Sequence, residues 1–379
     1  MAMAAFQTTA PAGVPFLDLA PSHRHAKEQL LAEIADLLDT GAFTNGPHVA
    51  QFEEAFAAYC GVDHCVGVSS GLDALRLGLL AIGIERGDEV VVPAATFVAT
   101  LEAVTQAGGM PVVADVSEVD YGLDPTAAAA AVGTRTRALM PVHLYGQMAD
   151  MHALGAVAAE HRLAVVEDAC QAHGAERGGL RSGSAGSAAA FSFYPGKNLG
   201  AAGDAGALVT NDADAATRVR ALREHGQTAK YVHAFEGWTA RLDTIQALVL
   251  SHKLPLLDAW NEQRRAAASF YDAHLRDVGD LRLPHVAAGS SPVWHLYVVR
   301  TGAPDELAVF LRERGICTGR HYPDPVHLTE AYAPLGYRRG EFPVAEALAR
   351  ECLSLPMFPG IGEEQLAAVV EGVRAFFDG

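Results

Sequence analysis

A lysine among glycines is the residue whose type and setting first suggest chemistry. Lys197 lies in FSFYPGKNLGAAGDAGAL, residues 191–208, a segment with few charges that begins with an apolar run. A lysine in a desolvated pocket loses basicity and becomes a nucleophile that can form a Schiff base with a carbonyl compound. Ser192, five residues earlier, offers a hydroxyl group to a phosphate. Most lysines are solvated surface charges, so it is the glycine-rich setting that favours a catalytic role.

A second segment, VVEDACQAHGA at residues 165–175, places carboxylates directly after an apolar run. A buried carboxylate is costly unless it is paired. Asp168 would find a partner in a protonated pyridine nitrogen, because a negative charge there keeps the nitrogen protonated and makes the ring an electron sink. Gln171 can donate to or accept from a ring hydroxyl group. A helix cap is the alternative role for Asp168, and it stays open at this point.

Two further segments hold groups suited to a flat phosphorylated cofactor. SSGLDALRLGL, residues 69–79, opens a predicted helix, so Ser70, Gly71 and Leu72 can present backbone N–H groups to a phosphate. Phe97 follows a predicted strand, where its ring can stack on a planar ligand. The alternatives are ordinary turn chemistry for the glycine and core packing for the phenylalanine. A phosphate cradle, a stacking ring, an acid and a lysine together describe a site for pyridoxal 5′-phosphate (PLP).

At these segments the chain resembles the DegT/DnrJ/EryC1/StrS sugar aminotransferases, which share the aspartate aminotransferase fold type. The resemblance extends from VPFLDL at 14–19 to LSLPMFPG at 353–360, and SFYPGKNLGAAGDAG and VEDACQAHGA are its most specific parts. It implies that Lys197 forms the Schiff base and moves the proton during amino transfer. It implies these cofactor contacts: Asp168 with the pyridine nitrogen, Gln171 with the ring hydroxyl, Phe97 with the ring face, and Ser70, Gly71, the backbone of Leu72 and Ser192 with the phosphate.

The chain departs from the family pattern at two motifs. The family's G-[FY]-N-[SYAT]-R-[LM] segment, which supplies an asparagine to the phosphate of the neighbouring subunit, is here GWTARLD at 237–243, with Thr239 at the asparagine position. The family's LSLP-[LM]-H-P has Phe358 in place of the histidine. The resemblance implies a homodimer with its active sites at the interface. The segment HYPDPVHL makes His321 and His327 candidate substrate-side groups, with a structural hydrogen bond as the alternative for each.

The resemblance implies transamination, because relatives that dehydrate the sugar replace the lysine by histidine. L-glutamate is the expected amino donor. A nucleotide-linked keto-deoxysugar is the expected acceptor, with a dTDP-3-keto-6-deoxyhexose preferred and the product an amino sugar for natural-product or polysaccharide biosynthesis. The alternatives are a C4 keto-sugar or a cyclitol of the scyllo-inosose type as acceptor, and a regulatory protein that keeps the PLP fold but senses a ligand.

The elements that must position these groups alternate along the first two thirds of the chain. Apolar runs at 64–70, 89–94, 110–116, 138–144, 163–169, 191–195 and 206–211 are separated by segments of helical length. This rhythm predicts an α/β fold with a mostly parallel sheet covered by helices on both faces, and the resemblance implies a seven-stranded sheet of PLP fold type I. A long helix over 240–278 with a bend near Pro255 and a smaller C-terminal α+β domain follow. We predict domains at 1–250 and 251–379.

Composition limits the partners and the compartment. The 28 Lys and Arg against 45 Asp and Glu give a formal net charge of −17, which disfavours nucleic-acid binding. Five cysteines without a CxxC pair predict neither a metal site nor a disulfide framework. The chain has no uncharged apolar stretch of membrane-spanning length, so no membrane is expected and a cytoplasmic location is predicted.

Overall fold

The structure is a computed structural model that describes residues 13–24 and 26–379. Its strands are β1 His64–Val68, β2 Glu89–Pro93, β3 Met110–Ala114, β4 Thr136–Leu139, β5 Ala164–Asp168, β6 Glu176–Arg177, β7 Leu180–Arg181, β8 Ala188–Ser192, β9 Gly206–Thr210, β10 Gln227–Ala229, β11 Val232–His233, β12 Ser290–Ser291, β13 Tyr297–Arg300 and β14 Cys352–Leu355. Its helices are α1 Ala20–Arg24, α2 Lys27–Thr40, α3 Pro47–Cys60, α4 Gly71–Ala81, α5 Ala99–Gln106, α6 Pro125–Ala131, α7 Met151–His161, α8 Ala213–Leu222, α9 Thr244–Lys253, α10 Leu257–Leu275, α11 Pro304–Glu313, α12 Pro343–Glu351 and α13 Glu363–Asp378.

A seven-stranded sheet with the order β1-β9-β8-β5-β4-β2-β3 forms the centre of the molecule. The neighbours from β8 through β5, β4 and β2 to β3 are parallel, whereas β9 is antiparallel to both β8 and β1. The prediction of an α/β fold with a mostly parallel sheet is confirmed. Because the carboxyl ends of parallel strands share one edge, the segments after β2, β5 and β8 meet there.

The apolar runs are continuous because helices cover both faces of this sheet. Val66, Val166 and Leu208 lie in the core cluster on one face, whereas Cys65 and Val209 lie in the cluster on the other. Successive residues of a strand point to opposite faces, so a strand buried on both sides needs apolar residues at every position. This arrangement accounts for the alternating rhythm of the sequence.

Strand β8 differs from its prediction. The sequence predicted it at 191–195, but it spans Ala188–Ser192. Ala188, Ala189 and Ala190 are buried at the sheet centre although alanine has low strand propensity. Small side chains at these positions allow the covering helices to approach closely, which is a tertiary requirement that local propensity does not reveal.

The predicted long helix is two helices. α9 ends at Lys253 and α10 begins at Leu257, with a short 3-10 turn at Leu254–Leu256 between them that contains Pro255. Proline lacks the N–H group that an α-helix interior requires. The predicted bend at this position is confirmed.

The C-terminal part has its own apolar core around the antiparallel pair β13 and β14. Residues from α10, α11 and α13 enclose this core, and Val14 joins it through a parallel bridge to Ile316. α12 and β14 were not predicted from the sequence. The domain limits at 1–250 and 251–379 stay a prediction. No helix in the described part of the chain is long and apolar enough to cross a membrane.

Candidate active site

Lys197 lies in the loop that leaves β8 at the carboxyl edge of the sheet. Backbone hydrogen bonds fold this loop tightly, since Lys197 N donates to Tyr194 O at 2.8 Å and Ala201 N donates to Phe193 O at 2.8 Å. Burial lowers the pKa of the Lys197 amine below its ordinary value, and the nearby Cys170 and Asp168 offset part of this shift. A lysine with a lowered pKa has more of the neutral amine that can attack a carbonyl group or accept a proton.

Asp168 ends β5, and both of its carboxylate oxygens are held. Oδ2 accepts a hydrogen bond from Thr100 Oγ1 at 2.8 Å, and Oδ1 accepts one from Cys170 N at 3.2 Å. The residue is buried, and within residues 13–24 and 26–379 no cation forms a salt bridge with it. A buried carboxylate without a cation is costly, so this side chain is suited to a protonated ring nitrogen brought by a ligand.

Gln171 has a fixed amide orientation. Its Oε1 accepts a hydrogen bond from Tyr145 N at 2.8 Å, and its Nε2 donates to the Tyr322 hydroxyl at 3.2 Å. An amide nitrogen carries two hydrogens, so one N–H remains free to donate. The sequence analysis left open whether Gln171 donates or accepts, and this geometry favours donation to a ring oxygen.

The N-terminus of α4 lies against Ser192 and Cys170. Ser70 caps this helix by accepting from Asp73 N at 3.1 Å. A β-carbon added to Gly71 would lie 2.7 Å from Ser192 Cβ and 2.8 Å from Cys170 Sγ, closer than ordinary contact. Gly71 therefore allows the first turn of α4, which includes Leu72, to approach the end of β8. The first N–H groups of an α-helix are free to bind an anion.

Phe97 follows β2 and leaves 51% of its surface exposed. The centroid of its ring lies 5.4 Å from that of Tyr322. Tyr322 in turn accepts a hydrogen bond from Gln171, so the exposed Phe97 ring is available to stack on a planar ligand next to that amide. This exposure argues against the core-packing alternative for Phe97.

His173 is buried, His295 and His321 are partly buried, and all three lie in the field of Lys197. Burial and the charge of Lys197 lower the pKa of His321 to about 4 and that of His173 to about 3, and they lower the pKa of His295 well below 6.5. His321 also stacks on Phe16 with ring centroids 5.5 Å apart. These imidazoles are neutral at pH 7, so they can exchange hydrogen bonds without adding charge.

The other two predicted residues lie in different surroundings. His327 is buried, with Nε2 3.2 Å from Glu346 Oε1. This contact favours the structural alternative for His327. Thr239 is exposed, and its Oγ1 lies 3.0 Å from His225 Nε2. Within a single subunit Thr239 therefore does not lie beside Lys197. Its predicted role at the phosphate of a neighbouring subunit stays a prediction.

Several groups of the site were missed by reasoning from the sequence. Thr100 and Cys170 hold Asp168, and Tyr145 and Tyr322 hold Gln171. Tyr322 lies inside the HYP motif, and Thr96 and Thr100 are one helical turn apart. The sequence therefore held a recognisable feature for Tyr322 and for this threonine pair. Tyr145 carried none, because it acts through its backbone N–H group.

The residues present fit PLP. Lys197 suits the aldehyde, Asp168 suits the ring nitrogen, and the close approach at Gly71 leaves the α4 N-terminus open toward a phosphate. Gln171 and Phe97 supply a donor for the ring oxygen and a surface for the ring face. The four segments that the sequence singled out are thus brought to one edge of the sheet.

Comparison with known proteins gives consistent matches over nearly the whole chain. The family model described as "DegT/DnrJ/EryC1/StrS aminotransferase family" matches residues 24–374. The chain is 48% identical over 361 residues to dTDP-3-amino-3,4,6-trideoxy-alpha-D-glucose transaminase of Streptomyces venezuelae, covering 95% of each chain. It is 48% identical over 362 residues to the erythromycin biosynthesis sensory transduction protein EryC1 of Saccharopolyspora erythraea, covering 96% of this chain and 99% of that one. The crystal structure of S. venezuelae DesV in complex with a ketimine intermediate superposes with a TM-score of 0.94 at 48% identity, covering 97% of this chain and 99% of that one.

Proposed function

Because the chain belongs to the DegT/DnrJ/EryC1/StrS aminotransferase family, we propose that it transfers the amino group of L-glutamate to carbon 3 of a dTDP-linked 3-keto-6-deoxysugar. It is a PLP-dependent sugar aminotransferase of amino-sugar biosynthesis. The single observation that carries the proposal is the meeting of Lys197, Asp168 and the α4 N-terminus at one sheet edge. The choice of dTDP and of carbon 3 follows the S. venezuelae relative, whose name specifies a dTDP-linked trideoxyglucose with its amino group on carbon 3.

When bound, PLP supplies a conjugated ring that takes up the electron pair left when a C–H bond beside nitrogen breaks. The neutral amine of Lys197 accepts the proton from that carbon and returns it at the end of the half-reaction, which its lowered pKa favours. Asp168 holds the positive charge of the ring nitrogen, and Gln171 donates to the ring oxygen.

The phosphate group is held by the first turn of α4 and by Ser192. Ser70 and Gly71 place the helix N-terminus at the end of β8, so its backbone N–H groups lie close to the Ser192 side chain. Fixed donors orient the cofactor without the entropy cost of ordering long side chains. Phe97 covers one face of the ring and excludes water from it.

We expect a second copy of the chain to complete the site. The hairpin of β10 and β11, which precedes Thr239, exposes apolar side chains, and Tyr231 is 81% exposed. Exposed apolar groups of this size are costly in a monomer and are typical of an interface. A homodimer would cover them and bring Thr239 toward the neighbouring phosphate. An active monomer in light scattering would contradict this expectation.

Sensing is a second candidate function, because the relative from S. erythraea carries a sensory name. A sensor needs to bind a ligand but does not need a base that moves protons. The lowered pKa of Lys197 and the oriented Asp168 are therefore better explained by catalysis. A C4 keto-sugar and a cyclitol remain the alternative acceptors. Amination of each ketone, read by the position of nitrogen in the product, discriminates among these substrates.

The test is the visible absorption spectrum of the purified protein with PLP, before and after L-glutamate alone. The wild type should show the yellow band of lysine-bound cofactor, and glutamate should bleach it as the amine form accumulates. Lys197→Ala should remain folded but lose both responses. Lys27→Ala is the matched control, because Lys27 is exposed on α2. Retained amino exchange by Lys197→Ala, or no response of the wild type to glutamate, would overturn the proposal.

A further inference from the structure

Two threonine hydroxyls lie in line behind Asp168. Thr96 Oγ1 is 2.7 Å from Thr100 Oγ1, and Thr100 Oγ1 is 2.8 Å from Asp168 Oδ2. Thr96 is 3% exposed and Thr100 is 0% exposed, so water does not compete for these hydrogen bonds. Thr100 belongs to the first turn of α5, and Thr96 stands four residues earlier in the loop after β2. These two hydroxyls thus connect the loop that carries Phe97 to the Asp168 carboxylate through hydrogen bonds.

The direction of these hydrogen bonds follows from the number of hydrogens. An ionised carboxylate only accepts, so the single hydroxyl hydrogen of Thr100 points to Asp168. Thr100 then has only lone pairs left for Thr96, and Thr96 must donate to it. Thr96 therefore donates to Thr100, and Thr100 donates to Asp168. Each hydroxyl has one orientation that satisfies both hydrogen bonds.

The two hydrogen-bonded hydroxyls fix the plane of the Asp168 carboxylate. Cys170 N holds Oδ1 at 3.2 Å, and Thr100 holds Oδ2 from the other side. A carboxylate anchored at both oxygens cannot rotate without breaking a buried hydrogen bond. Within the described residues no cation forms a salt bridge with Asp168, although Lys197 lies near enough to interact with its charge, so the two donors are the contacts that orient the carboxylate.

We propose that Thr100, oriented by Thr96, is a positioning residue that holds the Asp168 carboxylate aimed at the ring nitrogen of the cofactor. This inference rests on the proposed function, which assigns Asp168 to that nitrogen. Without the Thr100 hydroxyl, Oδ2 has no donor and the carboxylate can turn away from the ring. PLP then binds more weakly, and the orientation of its bound ring changes.

The experiment compares four variants as apoenzymes reconstituted with PLP. Thr100→Val removes the hydroxyl and keeps the branched shape, Thr100→Ser keeps the hydroxyl, and Thr96→Val removes only the outer donor. Thr105→Val is the matched control, because Thr105 lies on the same helix and its hydroxyl contacts Leu101 O, Glu102 O and the Tyr332 side chain rather than Asp168. The dissociation constant of PLP is measured by equilibrium dialysis, and ring orientation by the visible circular dichroism of the bound cofactor.

Loss of a hydrogen bond to a charged group should weaken PLP binding by roughly tenfold or more in Thr100→Val. The visible dichroism should change, Thr100→Ser should recover both quantities, and Thr96→Val should show a smaller loss. Thr105→Val should match the wild type. A Thr100→Val protein that binds PLP with wild-type affinity and dichroism would overturn the inference.

Two controls keep the test decisive. Thermal unfolding of the apoprotein shows whether Thr100→Val folds. If it does not fold, the inference is tested by Thr96→Val. Wild-type PLP affinity and dichroism in that variant would refute the role of the two hydroxyls. The wild-type reaction with glutamate separates the two proposals. A wild type that responds to glutamate while Thr100→Val binds PLP normally refutes only the role of Thr100. A wild type that does not respond refutes the proposed function, on which the role of Thr100 rests.

Discussion

Substitution of Gly71 by alanine tests whether the α4 N-terminus holds the cofactor phosphate. The new methyl group would lie 2.7 Å from Ser192 Cβ and 2.8 Å from Cys170 Sγ, whereas ordinary contact begins at 3.4 Å. The start of α4 must therefore move away from β8 by about 0.6 to 0.7 Å to relieve these contacts. Gly71 does not have a positive φ, so the effect is steric and involves no backbone strain.

The expected magnitudes separate stability from binding. Alanine is favoured over glycine within a helix by up to about 1 kcal/mol, and overpacking typically costs about 1–3 kcal/mol. The free energy of unfolding of the apoprotein should thus fall by at most about 3 kcal/mol. A phosphate needs the α4 N–H groups and the Ser192 hydroxyl at the same time. Losing one hydrogen bond to a charged group costs about 1.5–3 kcal/mol, which weakens PLP binding by roughly 10- to 150-fold.

The assay pairs equilibrium dialysis of PLP with urea unfolding of the apoprotein. Gly78→Ala is the matched control, because Gly78 lies on the same helix and its added methyl group would meet Leu208 Cδ1 at 2.6 Å, in the core. This control should change the free energy of unfolding and leave PLP affinity at the wild-type value. Gly71→Ala with wild-type PLP affinity would refute the assignment of the phosphate to this helix end.

The remaining predictions concern acid stability and the subunit interface. His173 has a pKa of about 3 in the folded protein and about 6.5 when unfolded, so between these values the unfolded state binds the extra proton. The free energy of unfolding should therefore fall on acidification below pH 6.5, and this group should contribute about 1.4 kcal/mol per pH unit. Urea unfolding of the apoprotein at pH 5 and pH 7 should show a smaller decrease for His173→Leu than for the wild type. An equal decrease in the two proteins would contradict this prediction. Thr239→Asn should keep or improve PLP affinity in the dimer, because asparagine reaches further than threonine, and weaker binding by dialysis would show that this segment does not meet the phosphate.

The resemblance and the spacing identified most of the candidate site because its groups follow strands. Lys197, Asp168 and Phe97 each come shortly after an apolar run, and a parallel sheet brings such positions to one edge. His327 shows the limit of this reasoning, since the motif that contains it places its imidazole against Glu346 instead of beside Lys197. A sequence spacing of six residues does not specify which way a side chain turns.

The antiparallel strand β9 shows a similar limit for the fold. Its apolar run looks like those of its neighbours, and direction within a sheet depends on the connection and not on composition. The loop of residues 193–205, which carries Lys197, leads from β8 to β9 without a crossover helix, and these strands are antiparallel. The helix α12 and strand β14 were also missed, although α12 begins at Pro343 and buries Ala345, Leu348 and Ala349 on one face, a helical signal that was not used.

The sequence by itself determined the α/β class, and with the family resemblance it gave the PLP cofactor and predicted the lysine, the carboxylate and the phosphate-side glycine, because these depend on residue type and on position relative to strands. Only the tertiary structure decided how the groups are oriented. Tyr145, Thr100 and Cys170 hold Gln171 and Asp168 through contacts between segments far apart in the chain or through backbone atoms. The contacts of Tyr145 and Thr100 arise when separate strands and helices pack together, so no local pattern records them, whereas the contact of Cys170 with Asp168 spans two residues and is local.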